Sequence, residues 1–253
     1  MKTVFITGCS SGFGLVTAEL FLDRGWQVIA SMRSLEGSSL EKHERLRALP
    51  LDVTDIASIR RAIEVAGPID VLVNNAGVGL FGALEAASMA SVRQIFEINI
   101  LGTIAMTQAV LPQMRARRSG VIVNVSSMVT EHPLPLLSTY TASKAAVNAF
   151  TESLAIELQE VGVRAHLVLP GRAPSTRFGE SARSLLQGPA PEAYASLLQK
   201  VVGGMTDQAD GLTFPSDVAD AIWRAATDPG SPMRLPAGAD AVAVAARSSG
   251  ARA

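Results

Sequence analysis

Short apolar runs alternate with longer stretches of helical spacing along the chain. Val4-Phe5-Ile6, Val71-Leu72-Val73 and Val121-Ile122-Val123 are uninterrupted, as strands buried on both faces should be. The pattern predicts strands near residues 2–7, 27–32, 47–51, 69–74, 119–125, 163–169 and 233–236. Between them, apolar positions fall three and four apart. Leu15, Ala18, Phe21 and Leu22 form one such stripe, which stops at Gly25. Helices are predicted near 13–24, 39–45, 55–66, 88–115, 138–160 and 216–227. Alternation at this spacing requires right-handed crossovers and a parallel sheet. The expectation is an α/β, doubly wound sheet of order 3-2-1-4-5-6-7 with helices on both faces.

No linker composition and no repeat interrupts the 253 residues, so a single domain spanning 1–253 is expected. One compositional break, Gly171 to Leu212, is rich in Gly, Pro, Ser and Ala, with a short helical pattern around Glu192–Val201. It reads as a mobile lid over a substrate site. The tail after Gly238 reads as poorly ordered at its end. Both long helices are apolar on more than one side, as at Ala145, Val147, Phe150, Leu154 and Ile156. A sheet covers one side only, so a homo-oligomer is expected.

A net charge of −1 gives no electrostatic reason to bind nucleic acid or anionic membrane. The uncharged stretch Ile98–Met114 contains Asn99, Thr103, Thr107, Gln108 and Pro112 and reads as a buried helix rather than a membrane span. The first strand starts at once after Met1-Lys2, which leaves no room for a secretory leader. A single cysteine, Cys9, excludes an internal disulfide and suits a reducing, cytoplasmic setting; it reads as structural. Three histidines and no cysteine pair offer no ligand set for a metal. His132 reads as a loop residue.

Four motifs carry candidate chemistry. Thr7-Gly8-Cys9-Ser10-Ser11-Gly12-Phe13-Gly14 follows the first strand and opens the first helix. Gly8 permits a sharp turn, Gly12 lets backbone approach a pyrophosphate, and Gly14 lets helix and strand pack closely. The helix N-terminus then offers N–H groups and a positive dipole end to phosphates. The fourth strand runs into Asn74-Asn75-Ala76-Gly77, and the fifth ends in Ser126-Ser127. Thirteen residues beyond Ser127, Tyr140 and Lys144 stand one helical turn apart and share a face. A nearby ammonium favours phenolate and is expected to draw the Tyr pKa down from about 10. Such a pair is a candidate general acid/base.

Together these residues resemble the short-chain dehydrogenase/reductase family, in its shorter form without an appended domain, from Thr3 to about Asp228. The family's glycine motif is matched by Thr7, Gly8, Gly12 and Gly14, and its NNAG by Asn74 to Gly77. Ser127, Tyr140 and Lys144 match its catalytic Ser and YxxxK, and Asn99-Ile100-Leu101-Gly102 its structural Asn. The resemblance implies a Rossmann fold binding a nicotinamide cofactor at Gly8, Ser10, Ser11, Gly12, Phe13 and Gly14, at Asp52 and Val53, and at Asn75, Ala76 and Gly77. It further implies contacts from Tyr140, Lys144, Pro170 and Gly171, dimers or tetramers built on the long helices, and a water-mediated proton relay supported by Asn99. In the family a Thr stands four residues after the Pro-Gly glycine; here Ser175 holds that offset and Thr176 follows it, so either hydroxyl is a candidate for the nicotinamide amide.

The second strand ends in Met32-Arg33, with Met32 where NAD-specific members place an acid. An Arg can pair bidentately with a 2′-phosphate, so the expected cofactor is NADP(H). The expected reaction interconverts a hydrophobic ketone or aldehyde and its alcohol, in the manner of hydroxysteroid- or retinol-dehydrogenase-like members. Phe81, Met128, Leu134, Leu136, Leu137 and Phe178 are candidates for an apolar pocket. A 3-oxoacyl-carrier reductase is the alternative within enzymes, weakened by the lack of a basic patch. A non-catalytic NADP(H) sensor is the alternative outside them, and has no reason to keep Ser, Tyr, Lys and Asn together.

Overall fold

Seven strands form one parallel sheet: β1 (Thr3–Thr7), β2 (Gln27–Met32), β3 (Leu46–Pro50), β4 (Val71–Asn74), β5 (Gly120–Val125), β6 (Val163–Pro170) and β7 (Arg234–Ala237). Their order is β3-β2-β1-β4-β5-β6-β7, as the alternation requires. The structure, a computed structural model, describes residues 1–176, 179, 182, 185, 191–205 and 211–250. Much of the expected lid, including Phe178, lies outside them.

Strand alternation divides the core into two layers. Val4 and Ile6 of β1 face α1 (Gly12–Asp23), while Phe5 between them faces α2 (Ile56–Ala66). The first layer is completed by Val218, Ile222 and Ala225, and the second by Met106, Val110, Leu154 and Leu158. Phe21, Trp26 and Trp223 close the first layer with edge-on rings, their centroids 5.0–5.8 Å apart.

The long helix expected over 88–115 is α3 (Met89–Phe96) and α4 (Gly102–Arg117), joined without a break by one π turn, Glu97–Leu101. By length and composition Met89–Arg117 is apolar enough to cross a membrane, yet it packs within the layers, with Met106, Val110 and Met114 fully buried. Then follow α5 (Ser138–Gln159), α6 (Ala195–Met205), α7 (Pro215–Thr227) and α8 (Ala239–Gly250).

One expected helix is absent. Residues 39–45 form no helix. There Ser34, Ser38 and His43 side chains accept from Glu36, Leu40 and Arg45 N–H groups, giving the backbone local turns in place of a helix. The segment after Gly238 forms α8, and the chain end expected to be poorly ordered, 251–253, lies outside the described residues. The small α8 stripe Ala241, Val244 and Ala245 packs with Met128 and Leu169.

Candidate active site

Parallel strands bring every loop after a strand to one edge of the sheet, and the motif residues gather there. Gly8 takes φ +74°, and a Cβ on it would stand 2.9 Å from Ala76 Cα. A Cβ on Gly14 would collide with the Gly8 carbonyl oxygen, so only glycine lets α1 start this close to β1. Thr7 locks the loop to its neighbour: its Oγ1 accepts from the N–H groups of Asn75 (3.0 Å) and Ala76 (2.9 Å). Asn75 Nδ2 returns bonds to the carbonyls of Thr7 (2.9 Å) and Gly8 (3.1 Å). Beneath the loop, Cys9 is fully buried and its thiol donates to Ile6 O at 3.3 Å. Burial pushes that thiol up to about 12, which leaves it protonated and unreactive at neutral pH.

A cavity of about 910 Å³ runs over this edge. Gly8, Ser10, Ser11, Gly12 and Phe13 form one wall, and Asn75, Ala76 and Gly77 another. Arg33, Asp52 and Val53 stand at one end, Tyr140 and Lys144 at the other. Gly14 is buried beneath the loop, so its part is packing rather than contact. Arg33 is exposed. The Asp52 carboxyl is held below its ordinary range, first by the Thr54 hydroxyl and N–H and to a lesser degree by Arg33. Sequence reasoning passed over Thr54, Gln94, Glu97 and Ile98, which also line the cavity. Gln94 and Glu97 share a helical face, but nothing in the sequence distinguishes it from an ordinary solvated one.

The volume and the glycine cradle fit a dinucleotide. The cavity reaches the first turn of α1 at Gly12 and Phe13, a turn without an acidic residue.

At the far end Tyr140 is buried, and its phenol is hydrogen-bonded to Ser127. Lys144 lies one turn on, its Nζ 6.0 Å from the Tyr140 ring centroid and donating to Val125 O at 2.9 Å. Burial pushes the phenol up to about 12, with the Ser127 hydrogen bond acting against it. Burial also pushes Lys144 down to about 8. The expected fall in the Tyr140 pKa is therefore not found; desolvation dominates, and the Ser127 hydrogen bond offsets it only in part. Ser126, the competing hydroxyl, is committed elsewhere: it donates to Asn148 Oδ1 at 2.5 Å.

Asn99 falls within the π turn, a distortion frequent at functional sites. Its side chain clasps the loop after β4, accepting from Val78 N and donating to Val78 O, both at 2.9 Å. Its Nδ2 also reaches Ser143 Oγ at 3.0 Å, and its carbonyl accepts from Thr103 Oγ1 at 2.9 Å. Asn99 thus braces the Gly77–Val78 wall beside Lys144.

The loop after β6 divides the remaining candidates. Pro170 and Gly171 line a second cavity, of about 240 Å³, that also takes in Ser127 and Met128, and not the larger one. Ser175 is exposed and lines neither. A turn closed by Thr176 N–H to Ala173 O (3.1 Å) brings Thr176 instead to the larger cavity, facing Gly12. Of the apolar candidates, Phe81, Leu136 and Leu137 pack with Tyr140, while Met128 and Leu134 line the smaller cavity.

Comparison with known proteins agrees with this geometry. The family model for short chain dehydrogenase matches residues 2–185. An uncharacterised oxidoreductase of Bacillus subtilis is 37% identical, covering 89% of this chain and 85% of the relative. Retinol dehydrogenase 8 of Homo sapiens is 40% identical, covering 67% of this chain but only 58% of its own length. Among solved structures, a short-chain dehydrogenase from Streptomyces avermitilis superposes with TM-score 0.81 at 32% identity, covering 99% of this chain and 93% of that one. One from Burkholderia cenocepacia in complex with NADP gives TM-score 0.78 at 28% identity, covering 100% and 96%. Fold, motif positions and relatives converge: the chain belongs to the short-chain dehydrogenase/reductase family of oxidoreductases.

Proposed function

We propose that the protein interconverts a hydrophobic ketone or aldehyde and its alcohol, with NADP(H) as cofactor. The observation that carries this reading is the buried Ser127–Tyr140–Lys144 group, of which Tyr140 and Lys144 line a cavity of dinucleotide size and Ser127 the smaller cavity. The family's use of a nicotinamide cofactor is general. The NADP form is supported by Arg33 on the cavity wall and by relatives solved with NADP.

When bound, the nicotinamide supplies or accepts the hydride. The chain's own part is to hold the substrate oxygen and move a proton. Ser127 donates a hydrogen bond to that oxygen and aligns the Tyr140 phenol beside it. A phenol raised to about 12 is fully protonated at neutral pH, the state needed to give its proton to a carbonyl being reduced. Lys144, with a pKa of about 8, keeps most of its charge there and stabilises the phenolate left behind. Thr7, Asn75 and Asn99 fix the walls on either side.

NADPH consumption measured over a panel of ketones and aldehydes tests the reading. Tyr140→Phe is expected to lower kcat by about 10²- to 10⁴-fold while NADPH still binds. Turnover close to wild type in that variant would remove the proposed chemistry.

A further inference from the structure

Beyond Tyr140 and Lys144, the same face of α5 carries two more polar residues at steps of four, Asn148 and Glu152. All four hold the turn that follows β5. Tyr140 bonds the Ser127 hydroxyl, Lys144 donates to Val125 O, and Asn148 reaches Ser126 and Thr130. Glu152 pairs with Arg234 of β7, which also pairs with Glu131 at the end of the turn. The chemistry of the site accounts for the first two. It does not account for Asn148, which is 5% exposed and stands two steps along the stripe from Tyr140.

The bonds through Asn148 run in one direction. Ser126 Oγ donates to Asn148 Oδ1 at 2.5 Å, Asn148 Nδ2 donates to Thr130 Oγ1 at 2.9 Å, and Thr130 Oγ1 donates to Ser127 O at 2.8 Å. Each bond orients the next. The Ser126 proton fixes the amide, and an amide N–H on the Thr130 oxygen turns the hydroxyl proton away, towards the Ser127 carbonyl. Bonds aligned in this way also polarise one another. Ser127 opens a single 3₁₀ turn, Met128–Thr130, from extended backbone at φ −165°. The turn's own bonds to this serine are long: Thr130 N–H to Ser127 O and Val129 N–H to Ser127 Oγ are both 3.3 Å. Against an ordinary N–H···O length of about 2.9–3.0 Å, they hold it weakly. The hydroxyl bond from Thr130 is the short one, and it clamps the Ser127 carbonyl and with it the direction of the Cα–Cβ bond. A hydroxyl that must meet both the Tyr140 phenol and a substrate oxygen tolerates little error in that direction.

We propose that Asn148 and Thr130 are positioning residues for Ser127: the relay from Ser126 through Asn148 to Thr130 holds the Ser127 hydroxyl in line with the Tyr140 phenol. This rests on the reading above, in which Ser127 holds the reacting oxygen, and adds two residues that line neither of the two cavities.

The chain has two tyrosines, so protein grown on tyrosine carrying carbon-13 at Cζ gives two magnetic-resonance signals, and the one lost in Tyr140→Phe belongs to Tyr140. Its position reads the hydrogen bonding of the phenol without any substrate or turnover. Ser127→Ala should displace it, which calibrates loss of the bond. Asn148→Ala and Thr130→Val should each displace it in the same direction by most of that amount. Thr130→Ser, which keeps the hydroxyl and gives up the methyl, should return it to the wild-type position. An unmoved signal in Asn148→Ala, in Thr130→Val or in Ser127→Ala itself would overturn the positioning role. So would a displacement in Thr130→Ser as large as that in Thr130→Val, which would trace to packing rather than to the hydroxyl. With a ketone that wild type reduces, kcat should also fall by about ten- to a hundred-fold in Thr130→Val, with the dissociation constant for NADPH unchanged. The two readings fail separately. Turnover of no ketone or aldehyde by wild type, with the tyrosine signal behaving as expected, removes the carbonyl chemistry and leaves the positioning. Full turnover in both variants with an unmoved signal does the reverse.

Discussion

In the proposed reading, Arg33 is the residue on which the choice between two cofactors turns. It stands exposed on the cavity wall with Ser10 and Ser11 nearby and the anionic Asp52 as its close electrostatic partner. A charge-assisted Arg–phosphate bond contributes about 1.5–3 kcal/mol, against about 0.5–1.5 kcal/mol for a bond to a bare hydroxyl, and a bidentate pair makes two. Wild type is therefore expected to favour NADPH by roughly ten- to a hundred-fold in kcat/KM, with most of that preference lost in Arg33→Ala. Equal use of NADH and NADPH by wild type would mean the guanidinium stays in solvent. Swapping the neighbouring Met32 for an acid is a poorer test, because Met32 is 3% exposed in the core and a carboxylate there would be buried. Single residues also show where sequence reading stops. The spacing of Tyr140 and Lys144 placed them together but not the direction of the phenol's pKa, because burial acts from the whole surrounding core. Ser175 and Thr176 were indistinguishable until the Ala173–Thr176 turn aimed one of them at Gly12.

Elements with strong periodicity were legible: the seven strands, α1, α2, α5 and α7 stand within a residue or two of their expected ranges. Weak stripes were not. α8 packs through alanine and valine, side chains too small to mark a core face in a run of similar residues. The π turn at Asn99 was equally invisible, since it shifts hydrogen bonds without changing residue type. A buried polar chain joins four elements: Thr107 of α4, Asn74 of β4, Asn124 of β5 and Thr151 of α5. Asn124 is fully buried; it accepts from Asn74 Nδ2 at 2.9 Å and donates to Thr151 Oγ1 at 2.8 Å. Asn124→Ala would leave partners unsatisfied on both sides, at about 1–3 kcal/mol each. A loss of unfolding free energy of that order, seen as a lower urea midpoint, is expected, and an unchanged midpoint would show that water takes the vacated place.

For the molecule as a whole, α5 presents two apolar sides. Val147 and Leu154 are buried against the sheet, while Ile156 is 69% exposed on the opposite face and Leu101 is 48% exposed at the head of α4. Exposed apolar groups on neighbouring long helices favour self-association through that side. Light scattering at micromolar concentration is expected to give a dimer or larger. Ile156→Glu should shift the mass towards monomer, and a monomeric wild type would reject the association.

The placement of Cys9 has a practical consequence. A sole thiol, fully buried and held protonated beneath the glycine loop, reacts with an alkylating reagent only while that loop is lifted from the sheet. Its labelling rate in the folded protein is therefore a clock for local opening at the cradle itself. A nucleotide seated on the loop should slow that clock in proportion to its saturation, giving an affinity without any assay of turnover. Labelling as fast with NADPH present as without it would show that the nucleotide does not hold the loop down.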